Sequence, residues 1–169
     1  MDVRFPIGKL DIPENVTLDD VQKWLAEIDN YTRRLRDVVG NITEEELNKT
    51  YRDGSWNVRQ LVHHIADSQL NMYQRLKLAL TDNNPIVPPF NQEEWVELED
   101  SLAPIEYSLQ ILDGINARIV ALGNRIDKDQ LERKFTLKDN GEITVATKLA
   151  KLAWHENHHL AHIEIALSR

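Results

Sequence analysis

Along four separate stretches of this 169-residue chain, apolar side chains recur every three or four positions, the spacing that puts them on one face of an α-helix. The first stretch carries Leu18, Val21, Leu25, Ile28, Leu35 and Val38 and ends at Gly40. Thr17 opens it with Asp20 three residues on, an acid-bearing start that suits a capping box. The second runs from Asn57 to about position 80 through Val58, Leu61, Val62, Ile65, Met72, Tyr73 and Leu76, and Asn83-Asn84-Pro85 stops it. The third carries Leu109, Leu112, Ile115, Ile119, Leu122 and Ile126; the fourth starts near Thr144 and carries Leu149, Leu152, Leu160, Ile163 and Leu167. Four amphipathic helices of roughly 20 residues each can bury their stripes only against one another, so the pattern predicts an all-α fold, a four-helix bundle, in one domain spanning residues 1–169.

The remaining segments read as connections. Residues 1–16 have no period and form an irregular arm laid over the domain. Thr43-Glu44-Glu45-Glu46 suggests a short helical turn, and Tyr51-Arg52-Asp53-Gly54-Ser55 a loop ending in a cap. Residues 85–104 read as loop with a turn of helix at 92–98 capped by Asn91. Between Phe135 and Val145, two short β-prone runs flank Asp139-Asn140-Gly141, which predicts a small β-hairpin before the last helix.

Lys and Arg number 20 against 28 Asp and Glu, a net charge of −8, and this opposes the phosphate attraction on which nucleic-acid binders rely. The start, Met1-Asp2-Val3-Arg4-Phe5-Pro6, lacks a secretory apolar stretch, and no apolar run approaches the ~20 residues that span a bilayer. The expectation is a cytoplasmic protein with neither nucleic-acid nor membrane partners. There is no cysteine, so neither disulfides nor thiolate ligands are available and metal chemistry would fall to His, Asp or Glu.

All six histidines fall in two clusters: His63 and His64 in the second helix, and His155, His158, His159 and His162 in the fourth. At ~100° per residue the four in the last helix share one flank, with His159 nearest the apolar stripe and His158 furthest from it, the most exposed of the four. His155 and His159, at i and i+4, point together at the edge of the bundle interior, a spacing that suits two ligands on one metal ion. Four unpaired imidazoles crowded near an apolar seam would be costly, and a bound cation removes that objection. Periodicity barely separates His63 from His64; Ser68, Asn71 and Arg75 beside His64 give it the more polar surroundings. Two histidines from one helix and one from another leave a fourth position to water, the arrangement of catalytic rather than structural sites.

His155-Glu156-Asn157-His158-His159 also matches H-E-x-x-H, in which the Glu activates water. The Gly and third His of metzincins do not follow, and Glu156 falls in the middle of the apolar stripe. It is a candidate general base or a buried carboxylate.

Two segments carry a resemblance. Tyr51-Arg52-Asp53-Gly54-Ser55-Trp56-Asn57-Val58-Arg59-Gln60-Leu61-Val62-His63-His64-Ile65-Ala66-Asp67-Ser68 and Trp154-His155-Glu156-Asn157-His158-His159-Leu160-Ala161-His162-Ile163 resemble the DinB/YfiT-like family, and Phe5-Pro6-Ile7-Gly8 extends the likeness towards the N-terminus. The resemblance implies a DinB-like four-helix bundle, commonly a homodimer, in which His64, His155 and His159 hold one divalent ion, zinc or nickel. It further implies a metal-dependent hydrolase acting on a small-molecule substrate, or alternatively a thiol S-transferase using bacillithiol or a similar low-molecular-weight thiol. Trp56, Asn71, Tyr73, Arg75 and Trp154 are candidates for the pocket rim. His162 is the residue that would close the fourth position and turn the centre into a non-catalytic, metal-binding bundle.

Overall fold

Thr17, Thr43 and Asn57 each begin a helix by the same device. The Thr17 hydroxyl accepts from the Asp20 backbone N–H while the Asp20 carboxylate accepts from the Thr17 N–H. Thr43 pairs likewise with Glu46, and Asn57 with Gln60. Each box satisfies donors that a helix start otherwise leaves without partners. The cap of the second long helix is thus Asn57, not Ser55, whose hydroxyl instead donates within its own turn to the Arg52 carbonyl.

In the computed structural model, which describes residues 2–169, the helices are α1 (Leu18–Val39), α2 (Glu44–Leu47), α3 (Val58–Thr81), α4 (Gln92–Trp95), α5 (Ile105–Gly123) and α6 (Val145–Leu167). The strands are β1 (Ile86–Val87), β2 (Lys134–Leu137) and β3 (Gly141–Thr144), with 3₁₀ turns at Glu99–Leu102 and Gln130–Glu132. The four long helices form the bundle. α1 and α3 each pack against both α5 and α6, which puts chain neighbours α1 and α3 on one diagonal and α5 and α6 on the other. Consecutive elements usually lie side by side; here the long connections make the diagonal steps possible. No helix among the described residues is long and apolar enough to cross a membrane.

The hairpin forms at the expected place: Lys134 pairs with Thr144 and Leu137 with Gly141, antiparallel. Asp139 and Gly141 take positive φ at its turn, which an Asp-Asn-Gly sequence tolerates. The segment expected to be loop contributes a third strand, β1, parallel to β2 with Ile86 opposite Thr136. Two residues are too few to show a period. Ile126 lies beyond the end of α5 yet is buried, so its match to the helical spacing reflects core packing after the helix has stopped.

The core has two apolar halves. One gathers Leu25, Ile28, Leu76, Ile119, Phe135, Leu149 and Leu152; the other Tyr31, Leu35, Leu61, Ile65, Leu112, Leu160 and Ile163. Each fully buried Leu or Ile contributes about 1.5–3 kcal/mol relative to exposure. Between the halves lies a buried polar layer. Gln69 of α3 donates to Asn116 of α5 at 2.9 Å, and Asn116 donates to the Glu156 carboxyl of α6 at 2.6 Å. α1 and α5 approach so closely at Gly123 that a Cβ there would lie 2.5 Å from Cδ2 of Leu25.

Candidate metal centre

α3 and α6 bring His64, His155 and His159 together. Nε2 of His155 is 3.3 Å from Nε2 of His64 and 3.1 Å from Nε2 of His159, and one ligand atom from each residue lies within 4.8 Å of the others. Metal–imidazole bonds of about 2.0–2.1 Å in a tetrahedron place ligand nitrogens about 3.3 Å apart, so His155 already stands at ligand spacing from both His64 and His159. Burial strengthens the fit. It lowers the His64 pKa to about 4 and pushes those of His155 and His159 well below the ordinary value, with repulsion among the imidazoles adding to the effect at His155 and His159. All three are therefore neutral at pH 7, the state in which an imidazole binds metal. Trp56 packs against the His64 ring at 4.6 Å and the Ser68 hydroxyl lies 3.4 Å from its Nε2.

The chain matches the DinB superfamily over residues 27–163. A protein of Oceanobacillus iheyensis, provisionally named a metal-dependent hydrolase, is 62% identical over 168 residues, covering 99% of this chain and 97% of its own. The chain belongs to the DinB superfamily. A similarly named protein of Halalkalibacterium halodurans is 45% identical over 169 residues, 100% of this chain and 99% of its own. Among solved structures, YfiT from Bacillus subtilis, described as a probable metal-dependent hydrolase with an unusual four-helix bundle topology, superposes with a TM-score of 0.94 at 36% identity and covers 100% of this chain and 97% of its own. A mycothiol-dependent maleylpyruvate isomerase shares the fold at TM-score 0.64 and 14% identity, over 87% of this chain and 63% of its own.

In this DinB-superfamily chain the other histidines have separate tasks. His63 donates from Nε2 to the Ala103 carbonyl at 2.8 Å and faces the Ser108 hydroxyl with Nδ1 at 2.7 Å; it ties α3 to the start of α5. His162 donates from Nε2 to the Val3 carbonyl at 3.1 Å, since a carbonyl can only accept. Its Nδ1 is then a lone pair, 3.3 Å from Nδ1 of His159. His159 must donate there, which leaves its own lone pair on Nε2, facing His64 and His155. His158, His159 and His162 also lie within 4.8 Å of one another, but these hydrogen bonds account for the contact between His159 and His162. His162 approaches His159 from the far side of the ring, at Nδ1 rather than at the Nε2 that faces His155.

His158 differs from expectation: it is buried, stacked on Trp154 at 4.5 Å with Phe5 beside it. Helical position alone exposes it, and the N-terminal arm covers it. That arm is part of the site. Val3 holds His162, and Gly8 accepts from the Trp154 indole at 3.2 Å.

Of the other rim candidates, Arg75 and Trp154 line the same cavity as His155 and His159. Tyr73 does not reach it: nine residues from His64 on α3, it lies on the opposite side of the helix, beside Lys77 and Arg118. Asn71 turns its amide back to the Asp67 carbonyl. Glu156 faces away from the imidazoles into the polar layer and is fully buried; burial raises its pKa well above the ordinary value. As a general base at the histidines it is misplaced. Lys148, Lys151, Phe90 and Gln92 also line the cavity without having stood out in the sequence. The two lysines precede His155 by seven and four residues, a helical spacing that could have revealed them; Phe90 and Gln92 sit where the chain has no period.

Proposed function

We propose that this chain is a metal-dependent hydrolase whose divalent ion, zinc or nickel, is held by Nε2 of His64, His155 and His159, with the fourth position open. The observation that carries the reading is the convergence of three neutral imidazole nitrogens, that of His155 at 3.1 and 3.3 Å from the other two, with His155 and His159 on the wall of a cavity. A divalent ion in such a site supplies a lowered pKa to bound water and polarises a substrate oxygen.

The chain's own groups prepare that chemistry. Burial keeps the three imidazoles unprotonated, the relay from Val3 through His162 presents the correct nitrogen of His159, and Trp56 shields one side of His64 from water. The Ser68 hydroxyl can orient a polar group near His64.

A thiol S-transferase is the companion reading, for which the open position and the absence of a competing cysteine leave room. The experiment is a turnover screen of zinc- and nickel-loaded protein on ester and amide substrates, run beside thiols paired with electrophiles. Hydrolysis lost on removal of the metal supports the first reading; turnover only with added thiol supports the second, and turnover unaffected by metal removal contradicts both. A cytoplasmic homodimer acting on a small molecule completes the proposal, and sedimentation velocity tests the assembly.

A further inference from the structure

Arg75, Lys148 and Lys151 stand beside His155 and His159 in one cavity of about 300 Å³. Lys148 is 1% exposed, with its ammonium 5.4 Å over the Phe135 ring. Arg75 is 9% exposed, donates to the Pro88 carbonyl at 2.9 Å and lies 6.0 Å over Phe90. Among the described residues none of the three has a carboxylate within 4.0 Å, although the chain carries 28 acidic residues to 20 basic ones. Lys151 is exposed at the cavity mouth, but burying Lys148 and Arg75 near it without a counter-ion is costly. The cost is visible at Lys148, whose pKa falls to about 7 through burial and the repulsion of Lys151 and Arg75. An anion entering the cavity would supply the missing counter-charge.

We propose that the substrate is anionic: Arg75, Lys148 and Lys151 hold an oxyanion of a small substrate, a carboxylate or phosphate, while its reacting end faces His155 and His159. This rests on the metal-dependent reading above. Lys148, Lys151, His155 and His159 follow one another along a single face of α6, and the seven residues from Lys148 to His155 make two helical turns, about 10 Å. Lys151 is four residues, about 6 Å, from His155, so the substrate has its charged end and its reacting group set apart by roughly 6–10 Å. Arginine and lysine are the side chains that take oxyanions, the first as a fork, the second as a point charge.

The test is isothermal titration of the zinc-loaded full chain with succinate, inorganic phosphate and uncharged succinamide in low-salt buffer, with metal content measured for every protein. One oxyanion is expected to bind once per chain, at least about tenfold more tightly than succinamide; preference for succinate assigns a carboxylate, preference for phosphate a phosphoryl group. Lys148→Met, which fills the same buried space with an apolar chain, and the surface variant Lys151→Gln should weaken binding, the former about tenfold or more, at unchanged metal content. Succinamide binding as well as succinate, neither oxyanion binding, or both variants binding as the parent does would overturn the proposal. His159→Ala separates the two readings. If it loses the metal but keeps oxyanion binding, the cations hold the anion; loss of both together places the anion on the metal and overturns the assignment to Arg75 and the lysines. Metal retained in His159→Ala counts against the metal centre and leaves the succinate comparison to decide the cationic cavity.

Discussion

His162 and His159 meet through their Nδ1 atoms at 3.3 Å, on the side of the His159 ring turned away from His64 and His155. With Nε2 of His162 committed to the Val3 carbonyl, this contact fixes which nitrogen of His159 is free. Such outer partners typically contribute 10–100-fold to metal affinity. His162→Phe keeps an aromatic ring against Tyr51, which stacks on His162 at 4.0 Å, and removes both hydrogen bonds. The expected result is metal affinity lowered by about 10–100-fold in a folded protein, read by competition with a chelator; unchanged affinity would show that His159 is oriented without it.

Glu156 gives a pH dependence of definite sign. Its folded-state pKa is raised by burial, so above the unfolded value of about 4.3 the unfolded chain releases a proton that the folded chain retains. Stability therefore falls as pH rises from that value towards the folded pKa. Glu156→Gln keeps the shape and removes the titration. Urea unfolding of both metal-free proteins should show the variant's advantage growing as pH rises above about 4.3, the histidine contributions cancelling in the difference; parallel curves would refute this.

Periodicity made the bundle and the His155–His159 pair legible, because a helix writes three- and four-residue spacing directly into the sequence. It could not separate His63 from His64. The decision depends on Ala103 and Ser108, which take up His63 from 40 and 45 residues away. Nor could it show His158 as buried, since the covering comes from Phe5 in an arm with no period of its own. Tyr73 illustrates the converse: a polar aromatic close in sequence to His64 is carried by the helix to the other face. The pairing of β1 with β2 was invisible for a related reason, as its hydrogen bonds run between Pro85 or Val87 and residues about fifty positions later.

The closeness of α1 and α5 predicts opposite outcomes for two glycines of α5. Gly123→Ala drives a methyl group to 2.5 Å from Leu25 and should destabilise the protein by about 1–3 kcal/mol. Gly114→Ala meets nothing within 4 Å and should stabilise the helix by about 0.5–1 kcal/mol. Thermal unfolding with unchanged metal content checks both, and a Gly123→Ala protein as stable as the parent would mean that the helices can move apart without cost.

The central claim is that three imidazoles from two helices hold one divalent ion. The most direct measurement is the metal content of the purified parent protein against His159→Ala after identical loading and dialysis. The account predicts one zinc or nickel ion per chain in the parent and essentially none in the variant; equal metal in both, or no retained metal in the parent, would contradict it.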